Sequence, residues 1–242
     1  MVRRGQPSRV LYPTSRTRAV WRVVPGPRDG PGPGERRGLV DRFGGSTAGM
    51  NIVVTSLKGG VGKSTTSIYL AAAAVEQGYD PVTLIDADPQ ASVAEWLETW
   101  PVEGITVVEA PSERTAVRAM GRVEGLGVVD TPPGSERLTQ GAVSAADAVV
   151  IPTRAGGVEY SRVTATLALI PASTPRGLVI CAARRGTNDL EAAIEWWKDQ
   201  KVEIWGVVPE RVAVAAGPEA RLSREGLNEY DAVLHRAMRG WR

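Results

Sequence analysis

The segment Leu57–Thr65, LKGGVGKST, constrains this chain more than any other stretch. It follows the apolar run Asn51–Ser56, so it predicts a strand, a glycine-rich loop and the start of a helix. That is the layout of a phosphate-binding P-loop. The ordinary pattern G-x-x-x-x-G-K-[ST] asks for glycine where this chain has Leu57, and a second lysine, Lys58, opens the loop instead. The chemistry explains the residue types. Gly59, Gly60 and Gly62 let backbone N–H groups converge on phosphate oxygens without side-chain clash. A helix starting near Gly62 adds the positive end of its dipole. Lys63 is placed to reach the β- and γ-phosphates, and Ser64 to offer its hydroxyl to Mg²⁺. Val61 and Thr65 complete the expected ATP-binding stretch. The bland alternative is a glycine-rich turn with two solvated lysines.

Two downstream motifs weigh against that alternative. The predicted strand Val82–Asp86 runs into Asp86-Ala87-Asp88-Pro89-Gln90. Carboxylates at the C-terminal edge of a parallel sheet lie where such folds bind ligands. Asp86 and Asp88 are two apart and point to the same side of an extended segment. Taken alone, the pair reads equally as a helix cap in a polar turn. The third motif is Gly127–Gly134, GVVDTPPG, a short apolar strand ending in Asp130. This is the Walker B arrangement, whose carboxylate holds Mg²⁺, usually through water. The backbone N–H groups around Gly134 are candidates to sense the γ-phosphate.

Together the three motifs resemble, in order, those of the ParA/MinD family of deviant Walker A ATPases. The match is best to small ParA-type partition ATPases and covers residues 50–242, with Ser92 and Trp96 extending the second motif. The resemblance implies a slow ATPase, converting ATP and water to ADP and phosphate, with ATP and Mg²⁺ as ligands. It implies that Lys58 reaches the phosphates of a partner subunit, so that ATP drives homodimerisation. It further implies that Asp88 aligns the attacking water and that Asp86 joins Ser64 and Asp130 near Mg²⁺. Lys58, Lys63 and Asp88 are then the catalytic candidates. The implied function is segregation of plasmid or chromosomal DNA in the cytoplasm, on the nucleoid. An ATP-bound dimer would hold DNA non-specifically and a ParB-like centromere-binding protein would stimulate hydrolysis. In such proteins the DNA contacts lie in the region that here holds Arg211, Arg221, Arg224, Arg236, Arg239 and Arg242, although interleaved acids make a mixed-charge surface the competing reading. Where the family often has an Asn-Arg pair after the sixth strand, this chain has Ala182-Ala183-Arg184-Arg185, which puts base selectivity in doubt. A MinD-like positioning ATPase on membrane is the first alternative and a metabolic ATP-using enzyme the second. The membrane reading would need the last helix at a lipid surface, whereas its stripe Leu227, Tyr230, Leu234, Met238 and Trp241 better suits core packing.

Composition bounds the rest. One cysteine, Cys181, and one histidine, His235, exclude an intrachain disulfide and a Cys/His metal centre. Cys181 is expected to pack as a small buried hydrophobe. The formal charge of +2 divides into +7 on residues 1–49 and −5 on residues 50–242. The first segment is rich in Arg, Gly and Pro and is expected to be disordered. It reads as a basic nucleic-acid arm, an inert extension, or a mis-assigned start with Met50 as the true first residue, the last being favoured. From Met50 the alternation of apolar runs and helical patterns predicts one α/β domain, a mostly parallel twisted sheet with helices on both faces. Expected helices include Ser64–Gln77 stopped by Gly78, Glu113–Met120, Leu138–Ala146, Asn188–Gln200 capped by Asn188 with Glu191, and Leu227–Arg239.

Overall fold

A computed structural model describes residues 49–211, 214 and 221–239. The N-terminal arm, Trp241 and Arg242 lie outside the described residues, and so do the three readings of that arm. Seven strands form one all-parallel sheet in the order β3-β2-β4-β1-β5-β6-β7. They are β1 Met50–Val54, β2 Val82–Asp86, β3 Ile105–Glu109, β4 Leu126–Asp130, β5 Ala148–Thr153, β6 Arg176–Ala183 and β7 Ile204–Pro209. The helices among the described residues are α1 Lys63–Glu76, α2 Ser92–Thr99, α3 Glu113–Met120, α4 Glu136–Ser144, α5 Gly157–Leu169, α6 Asn188–Asp199 and α7 Arg224–Ala237. The fold is the expected α/β P-loop architecture.

Strand alternation sends successive side chains to opposite faces, and the core divides accordingly. Ile52 and Val54 of β1 join the cluster under α1, α2 and α7, while Val53 joins the cluster under α3 to α6. Central strands buried on both sides need continuous apolar runs, and β1, β4 and β5 are buried at every position. Edge strands β3 and β7 keep partly exposed positions. The stripe on α7 packs inward: Tyr230 and Leu234 are buried, and Leu227 and Met238 lie against the same cluster. Among the described residues no helix is long and apolar enough to cross a membrane.

Helix ends differ from the sequence expectation where a cap lies upstream of the apolar pattern. Thr187, not Asn188, caps α6 by accepting from the Leu190 N–H at 3.4 Å. Ser223 caps α7 by accepting from the Gly226 N–H at 3.1 Å, so the helix begins three residues before Leu227. Helix α4 likewise begins at Glu136, two residues before Leu138. The apolar pattern marks the first buried turn, and a polar N-cap adds residues ahead of it.

Chain order reverses around β1, with β4 on one side and β5 on the other. The loops at the C-terminal ends of these strands therefore open at the switch point, where parallel sheets bind ligands.

Candidate nucleotide-binding site

The loop between β1 and α1 has the backbone a phosphate cradle requires. Gly60 and Gly62 adopt φ values of +72° and +99°, in the left-handed region that side-chain-bearing residues disfavour. Gly62 stands at the N-cap of α1 with no side chain capping it, so the first N–H groups of the helix remain available to an anion. The Lys63 ammonium is buried and donates to the Lys58 carbonyl at 3.1 Å, folding back across the loop. Burial lowers its pKa, against the opposing pull of Asp130 and Asp88.

The acidic side of the site is set by strand register. Asp86 pairs with Asp130 across β2 and β4, and Val54 pairs with Asp130 across β1 and β4, so both carboxylates stand level with the entrance to the loop. Asp130 is fully buried and accepts from the Ser64 hydroxyl at 2.7 Å and the Ser67 hydroxyl at 2.9 Å. Burial pushes its pKa up to about 7 and Asp86 adds to the rise, while the Ser64 and Ser67 bonds and Lys63 oppose it. Asp86 is also buried, and burial is the main cause of its raised pKa. Its carboxylate accepts from three backbone N–H groups, those of Asp88, Val93 and Ala94, at 3.1–3.2 Å. Two of these lie in the first turn of α2, so Asp86 caps that helix from the end of β2. Asp88 is only partly buried and accepts from the Gln90 N–H at 2.9 Å, within a polar turn that leads into Ala91 at φ +52°.

Lys58, on the open side of the loop, forms an ion pair with Glu159 in the first turn of α5. Glu159 is 6% exposed. Seven residues on, the Thr166 hydroxyl accepts from the Leu57 N–H at 3.2 Å. Residues seven apart share a helix face, so one face of α5 holds both ends of the Leu57-Lys58 peptide. Nothing in the local pattern around Glu159 marked this role; the Gly156-Gly157 entry to a helix was the nearest signal.

On the opposite side, Cys181 is buried as expected, and its Sγ would lie 3.5 Å from a Cβ added at Gly62. The Tyr230 hydroxyl meets the Thr66 hydroxyl at 3.0 Å, which ties α7 to the first turn of α1. A cavity of about 130 Å³ opens beside Gly62 and Thr65, lined by Cys181, Ala182, Val208 and Pro209 among others. Ala182 adopts φ +49°, a conformation that asparagine tolerates better than alanine.

The C-terminal arginines are mostly engaged within the chain. Arg211 pairs with Glu229, Arg224 with Glu76, and Arg236 donates to the Ile204 carbonyl at 2.8 Å. Arg221 lies over the Trp100 ring at 4.9 Å, whereas Arg239 is exposed without a side-chain partner among the described residues. Arg184 pairs with Glu210, and Arg185 with Glu229.

The parallel sheet, the glycine cradle at its switch point, and the buried carboxylate facing Ser64 define a P-loop nucleotide-binding protein. Residues 52–223 match the model of the CobQ/CobB/MinD/ParA nucleotide binding domain. The chain is 35% identical over 123 residues to protein ParA of Rhizobium radiobacter, a match spanning 49% of this chain and 55% of that relative. It is 30% identical over 210 residues to the chromosome-partitioning ATPase Soj of Thermus thermophilus, spanning 69% of this chain and 84% of Soj. A putative plasmid partition protein of Borrelia burgdorferi, solved with AMPPNP, shares the fold with a TM-score of 0.65 at 19% identity, covering 79% of this chain and 99% of that one. The chain belongs to the ParA/MinD family of P-loop ATPases.

Proposed function

We propose that this protein is an ATP-dependent DNA partition ATPase, which dimerises on ATP and releases its partner and its DNA on hydrolysis. The observation that carries the reading is the second loop lysine. Lys58 is not needed to complete the cradle of its own subunit, where Lys63 already crosses the loop. It sits on the open face, 35% exposed, held by a single carboxylate. A cation so placed is available to phosphates presented by a second copy.

The residues fit ATP with Mg²⁺. Among the described residues no group of three or more His, Cys, Asp and Glu side chains could hold a metal ion by itself. Mg²⁺ bound through one or two protein ligands, phosphates and water suits such a site. Ser64 and Asp130, now bonded to each other, are the groups that would hold it, directly and through water. The bound ion supplies charge neutralisation at the β- and γ-phosphates. Lys63 binds the same phosphates. Asp88, partly exposed and near Lys63, is the carboxylate free to orient water, whereas Asp86 acts chiefly by fixing the start of α2. The cavity beside Gly62 and Thr65 takes the base.

The relative named for chromosome partitioning supports DNA as the expected cargo surface and a ParB-like protein as the expected activator. The test is binding of the full chain to random duplex DNA with ATP and with ADP at low and moderate salt, since such binding is salt-dependent. Binding with ATP alone supports the reading. Equal binding with ATP and ADP, or none with either, refutes it.

A further inference from the structure

Helix α3, on the sheet face opposite α7, carries charge that the nucleotide site does not use. Arg114 and Arg118 lie one turn apart on α3, and Arg122 follows in the turn that ends it. All three are exposed, and none has a side-chain partner among the described residues. This sets them apart from most arginines of the described surface, which are held by carboxylates, carbonyls or a ring. The other guanidiniums outside such pairs are scattered: Arg162 on α5, Arg239 after α7, and Arg154, which lines the cavity beside Gly62 and interacts with Glu210. Beside the α3 ridge is Val117, the one large hydrophobic residue counted as exposed among the described residues, at 37%. It borders an open depression of about 580 Å³ between α3 and α4, lined also by Arg137, Gln140 and Ser144. Arg137 pairs with Glu113, and the exposed acids Glu109 and Glu124 flank the ridge in sequence.

From these observations we infer that the Arg114–Arg118–Arg122 ridge is a phosphate-backbone contact surface for duplex DNA. The inference rests on the partition reading and locates its DNA contact on α3. Successive arginines four residues apart rise about 6 Å along a helix and stay on one side of it. Arg114 and Arg118 thus stand about 6 Å apart along α3, with Arg122 just beyond the helix end, a spacing that faces several backbone charges of a duplex, which carries one per about 1.7 Å of axis. Unpaired guanidiniums engage phosphate without first giving up a carboxylate partner, and a glutamine side chain such as that of Gln140 can add a neutral phosphate contact. The depression, lined equally by polar and apolar surface, is open and offers no deep pocket for the apolar anchor that a protein partner would insert. Arg211, Arg221, Arg224 and Arg236 would have to break existing contacts to do the same work.

The experiment compares the full chain with its Arg114→Ala/Arg118→Ala/Arg122→Ala variant and with an Arg224→Ala/Arg236→Ala variant. Each is titrated against random duplex DNA in ATP over a range of salt. Loss of three phosphate contacts is expected to reduce the slope of log affinity against log salt by about 2 to 3, with affinity falling at least about tenfold at moderate salt. Basal ATP hydrolysis and thermal stability should stay unchanged, because the ridge is exposed and remote from the P-loop. The Arg224/Arg236 variant should keep its slope within about half a unit. An unchanged slope in the triple variant overturns the assignment while leaving the partition reading standing. If that variant instead loses binding to poly-glutamate with its DNA slope intact, the ridge serves an acidic protein segment and the assignment is wrong. Failure of the wild-type chain to bind duplex with either nucleotide removes the partition reading and this surface together.

Discussion

Replacing Asp130 by asparagine should make the nucleotide-free protein more stable above neutral pH while abolishing its hold on Mg²⁺. Asp130 is fully buried, and burial is the main reason its pKa rises from 3.8 to about 7. Below both values folded and unfolded chains are equally protonated. Between them the unfolded chain has released a proton that the folded chain retains, so stability falls as pH rises. The loss is about 1.4 kcal/mol per pH unit until the folded pKa is passed, or roughly 2 to 3 kcal/mol between about pH 5 and pH 8. Asparagine keeps the shape and carries no proton to lose, and the Ser64 and Ser67 hydroxyls can turn to suit it. The assay is urea unfolding of both proteins without nucleotide or Mg²⁺, at pH 5 and pH 8. The difference between wild type and variant isolates Asp130 from Asp86, whose raised pKa contributes a slope of the same sign to both. Wild type should lose stability over this range relative to Asp130→Asn. Parallel pH profiles would show that the buried Asp130 carboxylate costs no stability at high pH. A linked measurement follows: Mg²⁺–nucleotide binding to the wild type below about pH 7 should release a proton that the variant does not release.

Glu159→Gln removes the carboxylate that holds Lys58 in its own subunit, so ATP-dependent dimers should form at lower protein concentration in sedimentation, while Lys58→Ala should form none. Identical dimerisation of all three proteins would show that Lys58 does not act across an interface. Gly177→Ala in β6 would set a Cβ 2.2 Å from the Trp205 ring, and overpacking of this kind should cost about 1 to 3 kcal/mol in denaturant unfolding. Tyr230→Phe deletes the hydroxyl 3.0 Å from Thr66, leaving only the weak Cys181 sulfur contact at 3.8 Å; a loss of about 1 kcal/mol and a weaker nucleotide affinity are expected by calorimetry.

The parts of this protein legible in its sequence are those whose cause is local. Lys63, Ser64 and Asp130 could be named because a glycine cradle, a helix start and a strand-ending carboxylate each have a short-range signature. The strands were legible for the same reason: central parallel strands must be apolar throughout, and β1, β4 and β5 are. What stayed hidden depends on residues far apart in the chain. Asp86 and Asp88 look equivalent as a pair two residues apart, yet only Asp86 meets the N-terminus of α2, so burial and backbone bonds separate a positioning carboxylate from a freer one. Glu159 lies 101 residues from Lys58, and no spacing rule links them. The arginines show the same limit from the other direction. The C-terminal region holds six arginines from Arg211 to Arg242, but Glu76 and Glu229 engage Arg224 and Arg211. The arginines of α3 have no carboxylate partner among the described residues, and Glu113 beside them in sequence pairs with Arg137. Which cations are free for an anionic partner is thus decided by tertiary contacts, and among the described residues the smaller cluster at α3 has more unpaired guanidiniums than the larger one near the C-terminus.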